Sequence, residues 1–462
     1  MWERFSYYGM RALLILFMTA TVAHGGLGYS TSKAGAIYGL YVGLAYLSNL
    51  PGGWVADRIL GQRRSVLWGG IVIATGHFLM AVPHSATFYA GLAFIVVGTG
   101  LLKPNVSTMV GALYAPEDTR RDAGFSIFYM GINLGAMISP LVCGYLGQNI
   151  NWHYGFAAAG AGMCLGLVQY VLGGRYLGDA GQLVSRSAGD LRIFKIAIAS
   201  AVVVVAAVGV LVYSGALRMT AEAIANVFAI LLAAVVVVFF TWLLTAKGYT
   251  HAEHRRFWAI LVLFVAACLF WSAFEQAGST LNLFAERNTN LHAWDTPLWG
   301  LFRASYYQSV NSLFIIFLAP VFGWIWLRLG RRQPGSTAKF SIGLLFVGLG
   351  FAVLIPVAGS TNVSPWWLIL TYLLHTIGEL CLSPVGLSAM TRLAPQRAVG
   401  MMMGVWFLAD SVGGFIGGRL SSLYESFPLA GLFGMVAGFC LIVAAALVFL
   451  IRPMRRLTAG AS

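Results

Sequence analysis

Charge is the scarcest property of this chain. Only 10% of its 462 residues are Asp, Glu, Lys or Arg, and the 15 acidic ones are outnumbered by 29 basic ones. A water-soluble fold of this length would expose far more charge, so that class is excluded. Cysteine is sparse as well. Cys143, Cys164, Cys268, Cys381 and Cys440 all lie in apolar runs without C-x-x-C spacing, which excludes a disulfide framework or zinc site and leaves small packing residues. His77, His84, His153, His251, His254, His292 and His375 form no ligand-like cluster. No G-x-x-x-x-G-K-[ST] loop is present, so direct ATP drive has no support. A nucleophile beside a base and a sizeable hydrophilic domain are also missing, which argues against a membrane enzyme or receptor.

Apolar residues make up 59% of the chain and mean hydropathy is +0.80. The runs are continuous and long enough to cross a hydrocarbon layer of about 30 Å as helices; a β-barrel would alternate instead. With Gly 55 and Trp 14 suiting close helix packing and interfacial belts, the chain reads as an all-α polytopic membrane protein. Hydropathy places about fourteen spans, near 1–24, 34–57, 65–83, 87–113, 123–147, 154–176, 191–215, 222–246, 257–285, 304–328, 338–358, 365–391, 398–420 and 429–451. The pairs Gly413-Gly414 and Gly417-Gly418 predict a broken or tightly packed helix. Small residues at Ala20 to Ala23 mimic a cleavage site, but the charged, aromatic start is a poor signal and the first span is expected to be retained.

Lys and Arg in short loops set orientation. With the N-terminus cytoplasmic, one side holds Arg58, Arg63, Arg64, Arg120, Arg121, Arg186, Arg397, Arg455, Arg456 and others, and the opposite side only Lys33, Arg218, Arg287, Arg303 and Arg419. Both termini are therefore expected in the cytoplasm. The formal charge of +14 follows from this topology and from attraction to anionic headgroups of the bilayer. The basic residues form short turns and no long patch, so no nucleic-acid partner is expected.

The first span carries charge on one face. At 100° per residue, Glu3, Arg4, Tyr7, Tyr8 and Arg11 fall at about 0°, 100°, 40°, 140° and 80°. Charges at bilayer depth cost several kcal/mol unless paired or wet, so this stripe points to movement of something polar. Other polar groups inside spans are Lys103, Asn133, Glu275, Asn311 and Glu379. Cations gather in the first half and anions, Glu3 apart, in the second. A cavity between such halves suits a zwitterion.

Gly53, Asp57, Arg58, Gly61, Arg63 and Arg64 fill the turn after the second span. They resemble the G-x-x-x-D-R-x-x-G-x-R-R loop of the major facilitator superfamily, in which carboxylate and arginines pair across the cytoplasmic ends when the inner gate shuts. A degenerate echo runs from Gly323 to Arg332, with Leu327 at the Asp position. Halves at 1–176 and 255–462 supply six spans each, and 177–254 is a linker with two extra ones. The superfamily resemblance implies two six-helix bundles around a central cavity, with alternating access.

Glu3-Arg4-Phe5 with Tyr7-Tyr8-Gly9, and Phe128-Tyr129-Met130-Gly131-Ile132-Asn133-Leu134-Gly135, resemble the E-x-x-E-R-F-x-Y-Y-G and F-Y-x-x-I-N-x-G signatures of the proton-dependent oligopeptide transporter family. The two extra central spans match its bacterial members, which implies an inner (plasma) membrane location. The resemblance further implies proton-coupled import of di- and tripeptides, protons as the coupling ion with no other cofactor, and a functional monomer. Arg11 and Lys103 would attract the peptide carboxylate, Glu379 the amine, and Asn133 and Asn311 the backbone. Tyr7, Tyr8, Tyr41, Ser383 and Trp406 would line side-chain pockets. Glu3 and Arg4 would be the proton-responsive pair together with Glu275; Arg11–Glu275 would close an outer gate and Lys103–Glu379 an inner one. The family motif has another Glu three residues before Glu3, a position that falls before Met1, so the chain is expected to lack its true N-terminus. No His lies between Gly25 and Gly76, so coupling is expected to rest on carboxylates. A same-fold transporter of nitrate or of peptide-like drugs is the alternative, and the paired Lys103 and Glu379 favour a zwitterion over a simple anion.

Overall fold

In hydrocarbon each backbone N–H and C=O must be satisfied within its own segment, so long apolar runs become helices. The computed structural model describes residues 1–114, 118, 120–183, 187–214, 219–295, 302–395 and 398–458. Arg186, Arg218 and Arg397 of the charge pattern above lie outside the described residues.

The first half contains α1 (Trp2–Thr19), α2 (Thr31–Leu47), α3 (Asn49–Val55), α4 (Gln62–Met80), α5 (Ser85–Ala112), α6 (Arg121–Tyr145) and α7 (Trp152–Leu172). Two helices follow, α8 (Ala188–Tyr213) and α9 (Ala221–Thr245). The second half is α10 (His251–Phe274), α11 (Thr280–Arg287), α12 (Gln308–Leu329), α13 (Ser336–Leu354), α14 (Trp366–Leu393), α15 (Val399–Ser421) and α16 (Leu429–Leu457). Because α2 with α3, and α10 with α11, each continue one crossing, the described residues form fourteen helical passes. Eleven described helical segments are long and apolar enough to span a membrane. The opening helix α1 is not among them, since it carries Glu3, Arg4 and Arg11.

Helix starts follow local capping chemistry. Ser30, Asn151 and Thr220 accept backbone N–H groups at the starts of α2, α7 and α9, and Thr250 with Glu253 forms a capping box at α10. Interior prolines Pro104, Pro140, Pro320, Pro384 and Pro453 stay within their helices. Two breaks depart from the hydropathy reading. At Ser48 the hydroxyl bonds to Val96 O (3.0 Å) on α5 while α2 gives way to α3. At Glu275 a 3-10 turn, Glu275–Gly278, interrupts the ninth crossing. The expected first span also ends early, at Thr19, with a 3-10 turn at Val22–His24.

In the first bundle α1 packs on α6 and α7, and α4 on α5 and α7; in the second, α13 packs on α14 and α16, and α10 on α15. The bundles meet along α2–α15 and α6–α12. α9 leans on α2 and α10, whereas the apolar window of α8 buries nothing. The glycine-rich part of α15 is unbroken and tightly packed. Gly418 faces Gly39 of α2 so closely that a methyl group on Gly418 would overlap the Gly39 backbone, and one on Gly39 would press on the carbonyl of Phe415. This is the major facilitator architecture of two six-helix bundles plus two central helices.

Polar contacts that join the bundles gather at mid-depth and at the end of the molecule away from loop 58–64, here the far face. Thr31 donates to Glu425 (2.5 Å), which pairs with Arg287 (2.7 Å). Arg303 Nε donates to Asn149 Oδ1 (2.6 Å), Gln148 Nε2 to Glu286 (3.3 Å), Ser422 to Ser32 O (3.1 Å) and Asn282 to Ala12 O (2.8 Å).

Candidate functional site

The site forms where α1, α2 and α5 of the first bundle face the broken crossing α10–α11 and helices α12, α14 and α15 of the second. Arg11 and Glu275 lie at its centre, 4% and 2% exposed, with Arg11 Nη2 2.7 Å from Glu275 Oε2. Arg11 Nε donates to the Tyr38 hydroxyl (2.7 Å), and Nη2 also reaches the Glu275 carbonyl (3.3 Å). Tyr46 Oη donates to Glu275 Oε1 (3.4 Å). Residue 278 must be glycine for this to assemble: a side-chain carbon there would lie 2.6 Å from Arg11 Nε and closer still to the Tyr38 hydroxyl. The break at Glu275 therefore lets a backbone corner, not a helix flank, receive the guanidinium.

The rest of the α1 face is aromatic and charged. Glu3 and Arg4 pair at 2.9 Å, and the Arg4 guanidinium lies 5.9 Å from the Tyr7 ring centre. Tyr7 stacks on Tyr41 at 6.4 Å and meets Tyr8 edge-on at 5.2 Å, while Arg11 is 5.9 Å from the Tyr8 ring. The buried hydroxyls of Tyr7 and Tyr41 have no hydrogen-bond partner among the described residues.

On the opposite wall Asn311 Nδ2 donates to Glu379 Oε2 (3.1 Å) and to Thr376 Oγ1 (3.0 Å). Gln308 Nε2 donates to Ala277 O (2.5 Å) and to Tyr372 Oη (3.1 Å), tying α12 to the broken crossing and to α14. Trp406 is buried edge-on to Trp271 at 6.3 Å and packs against α14 at Gly386. Ser383 is half-buried one turn beyond Glu379.

Several expectations meet different partners. Lys103 and Glu379 do not pair among the described residues: Lys103 Nζ rests 3.5 Å from the Tyr46 ring centre, and Glu379 is held by Asn311. Asn133 donates back to Tyr129 O (2.9 Å) in its own helix. In the loop motif Arg63 clasps the end of the first half and the start of the linker, donating to Gly174 O (2.6 Å) and Gly178 O (3.1 Å), and Arg58 faces Asp190 at 3.6 Å. Asp57 makes no ion pair among the described residues, Arg64 is exposed, and Gly53 meets nothing close.

Sequence reasoning missed Asp410 on α15, Tyr38 and Tyr46 on α2, and Thr376 on α14. Asp410 carried a usable signal, a carboxylate inside the apolar run Trp406-Phe407-Leu408-Ala409-Asp410. The tyrosines carried none, since membrane helices hold many. Among the described residues no three His, Cys, Asp or Glu side chains gather as a metal site.

A helical, two-bundle membrane protein with buried opposite charges facing each other across its bundle interface belongs to the secondary transporters. The POT family profile matches residues 63–439, and the chain belongs to that family. It is 42% identical to "Peptide transporter YePEPT" of Yersinia enterocolitica over 99% of this chain and 93% of that one. It is 38% identical to a "Di-/tripeptide transporter" of Lactococcus lactis, covering 96% and 92%. A crystal structure described as peptide transporter POT in complex with sulfate superposes with a TM-score of 0.93 at 41% identity, covering 99% of this chain and 94% of that one.

Proposed function

We propose that this protein is a proton-coupled symporter that imports di- and tripeptides across a bacterial inner membrane by alternating access. The observation that carries the reading is the arrangement of Arg11 and Lys103 on one bundle opposite Glu379 and Asn311 on the other. A peptide offers a carboxylate at one end and an ammonium at the other, and this cavity offers the complementary charges. Tyr7, Tyr8, Tyr41, Ser383 and Trp406 supply faces and a hydroxyl that suit varied side chains with little discrimination. Asn133, whose amide bonds only within its own helix, is free to turn to a peptide backbone.

The proton is the coupling ion, with no other cofactor. A carboxylate in a dry site exchanges its proton according to the cations beside it. Glu275 against Arg11, and Glu3 against Arg4, are pairs that proton or peptide can compete to break, which shifts the populations of two cavity states. The far-face contacts and the Arg11–Glu275 pair fit a state closed outside and open inside, with loop 58–64 and both termini cytoplasmic. In the other state Lys103 and Glu379 would meet, and Asp57 would face Arg58 and Arg64. Residues 1–176 and 255–462 would rock as units, with 177–254 between them, and a monomer surrounded by lipid suffices for this cycle. One proton moving down roughly 100 mV and one pH unit gains about 2.3 plus about 1.4 kcal/mol, roughly 500-fold accumulation.

The test is uptake of radiolabelled dialanine into liposomes that contain the purified protein, with an inward proton gradient and an ionophore control. Accumulation abolished by the ionophore is expected. Equilibration that ignores the gradient would remove coupling, and absence of uptake would remove the peptide.

A further inference from the structure

One charge of the cavity has no part in the account above. Asp410 lies on α15, 6% exposed, and its Oδ1 has no hydrogen-bond partner among the described residues. An ionised carboxylate oxygen without a donor is costly in a dry site unless a cation stands near. Helical spacing puts Trp406, Asp410 and Gly414 on one face. That face looks toward the site, because Trp406 meets Trp271 and the side-chain direction of Gly414 points at Val42 of α2, with Glu275 Cγ 3.8 Å away. α15 itself is fixed beside α2 by Ser411, which donates to Gly43 O (2.7 Å).

The surrounding charges single out one counterpart. Lys103 of α5, Glu275 at the break of the ninth crossing and Glu379 on α14 are the charged groups around Asp410. Tyr46 of α2 and Cys268 of α10 lie near it as well. Lys103 is therefore the single cation among these groups, and it has no carboxylate within ion-pair distance among the described residues. It rests instead on the ring of Tyr46, the same tyrosine whose hydroxyl donates to Glu275.

We infer that Asp410 is a proton-exchanging counter-charge of Lys103, a positioning residue that couples peptide binding to proton uptake; the inference rests on the peptide reading above. With the site empty, the Asp410 carboxylate balances the Lys103 ammonium across the cavity. When a peptide carboxylate takes Lys103, that balance passes to the substrate. Asp410 is left among Glu275 and Glu379 and takes one proton from water. One negative charge replaces another beside Lys103, and one proton enters for each peptide bound.

The experiment is calorimetric titration of the full-length purified protein with dialanine between pH 6 and 8, in two buffers of different ionisation enthalpy. Together these give the affinity and the number of protons bound per peptide. For the unaltered protein the affinity is expected to weaken as pH rises, by up to tenfold per unit for one linked proton. D410N is expected to bind fewer protons and to flatten that dependence, with affinity at pH 8 approaching that at pH 6. D410E keeps the proton but shifts the midpoint of the dependence, and K103Q combined with D410N departs from additivity. If D410N retains the proton number and pH slope of the unaltered protein, the inference is overturned while the peptide reading stands. If D410N does not fold, D410E decides, and an unchanged midpoint overturns the inference. If the unaltered protein binds no dialanine, the peptide reading falls and this inference with it.

Discussion

Replacing Gly278 by alanine tests whether the Arg11 cluster holds the far face shut. The added methyl would sit 2.6 Å from Arg11 Nε and nearer to the Tyr38 hydroxyl, well inside van der Waals contact. Neither neighbour has room to spare, since both are buried and bonded to each other at 2.7 Å. Arg11 must therefore give up Tyr38 or draw away from Glu275. Drawing Arg11 away from Glu275 removes a charged hydrogen bond that joins the two bundles, about 1.5–3 kcal/mol, and so lowers the ratio of far-closed to far-open molecules by about 10- to 150-fold. Helix propensity does not offset this, because residue 278 ends a 3-10 turn and lies outside any α-helix. Spin labels at Ala86 and Ser364, exposed at the far ends of α5 and α14, report the separation of the bundles. G278A is expected to broaden and lengthen their distance distribution and to reduce ionophore-sensitive dialanine uptake at least tenfold. An unchanged distribution with unchanged uptake would refute the role given to the cluster.

Other perturbations address separate parts of the mechanism. E379Q and K103A are each expected to abolish concentrative dialanine uptake, and uptake that survives both changes sinks the assignment of peptide termini. G418V places a branched side chain where α2 and α15 touch at backbone distance; it is expected to prevent far-face closure, read as the same label separation, and a normal distribution would show that the crossing tolerates bulk. At the far face the Glu425 carboxyl is held below its ordinary range, chiefly by the hydrogen bond from Thr31, with Arg287 adding to it. A lowered carboxyl contributes stability above its ordinary pKa and loses it as pH falls through the lowered one. The difference in thermal midpoint between the unaltered protein and E425Q is thus expected to be largest near neutrality and to vanish in acid, and a pH-independent difference would contradict the contact.

Fourteen crossings and the loop motif were legible because each depends on composition or spacing along the chain, whereas the approach of Arg11 to Glu275 was implied only by the family resemblance. The break at Ser48 was not, since it is settled by a bond to Val96 on a helix 48 residues away. Partner choice was legible only in part. Arg11 and Glu275 meet as expected, whereas Lys103 rests on the Tyr46 ring and Glu379 is held by Asn311. The histidine reading also has a physical limit: His77 and His375 are fully enclosed, their ring nitrogens without partners among the described residues, a burial that no spacing signals. Asp410 was readable by the rule applied to Lys103, yet it stands in no recognised motif.

The crossing of α2 and α15 at Gly39 and Gly418 bears on how easily the molecule changes state. Glycine has no side chain to immobilise, so closing this seam freezes no rotamers and opening it releases none. The two helix backbones gain dispersion contacts on approach and lose them on parting, with little entropy exchanged in either direction. Such a seam works like a smooth bearing surface. The cost of parting the bundles then falls on the polar contacts around it, the Arg11–Glu275 pair and the far-face bonds at Glu425, Asn149 and Gln148, and not on the seam itself.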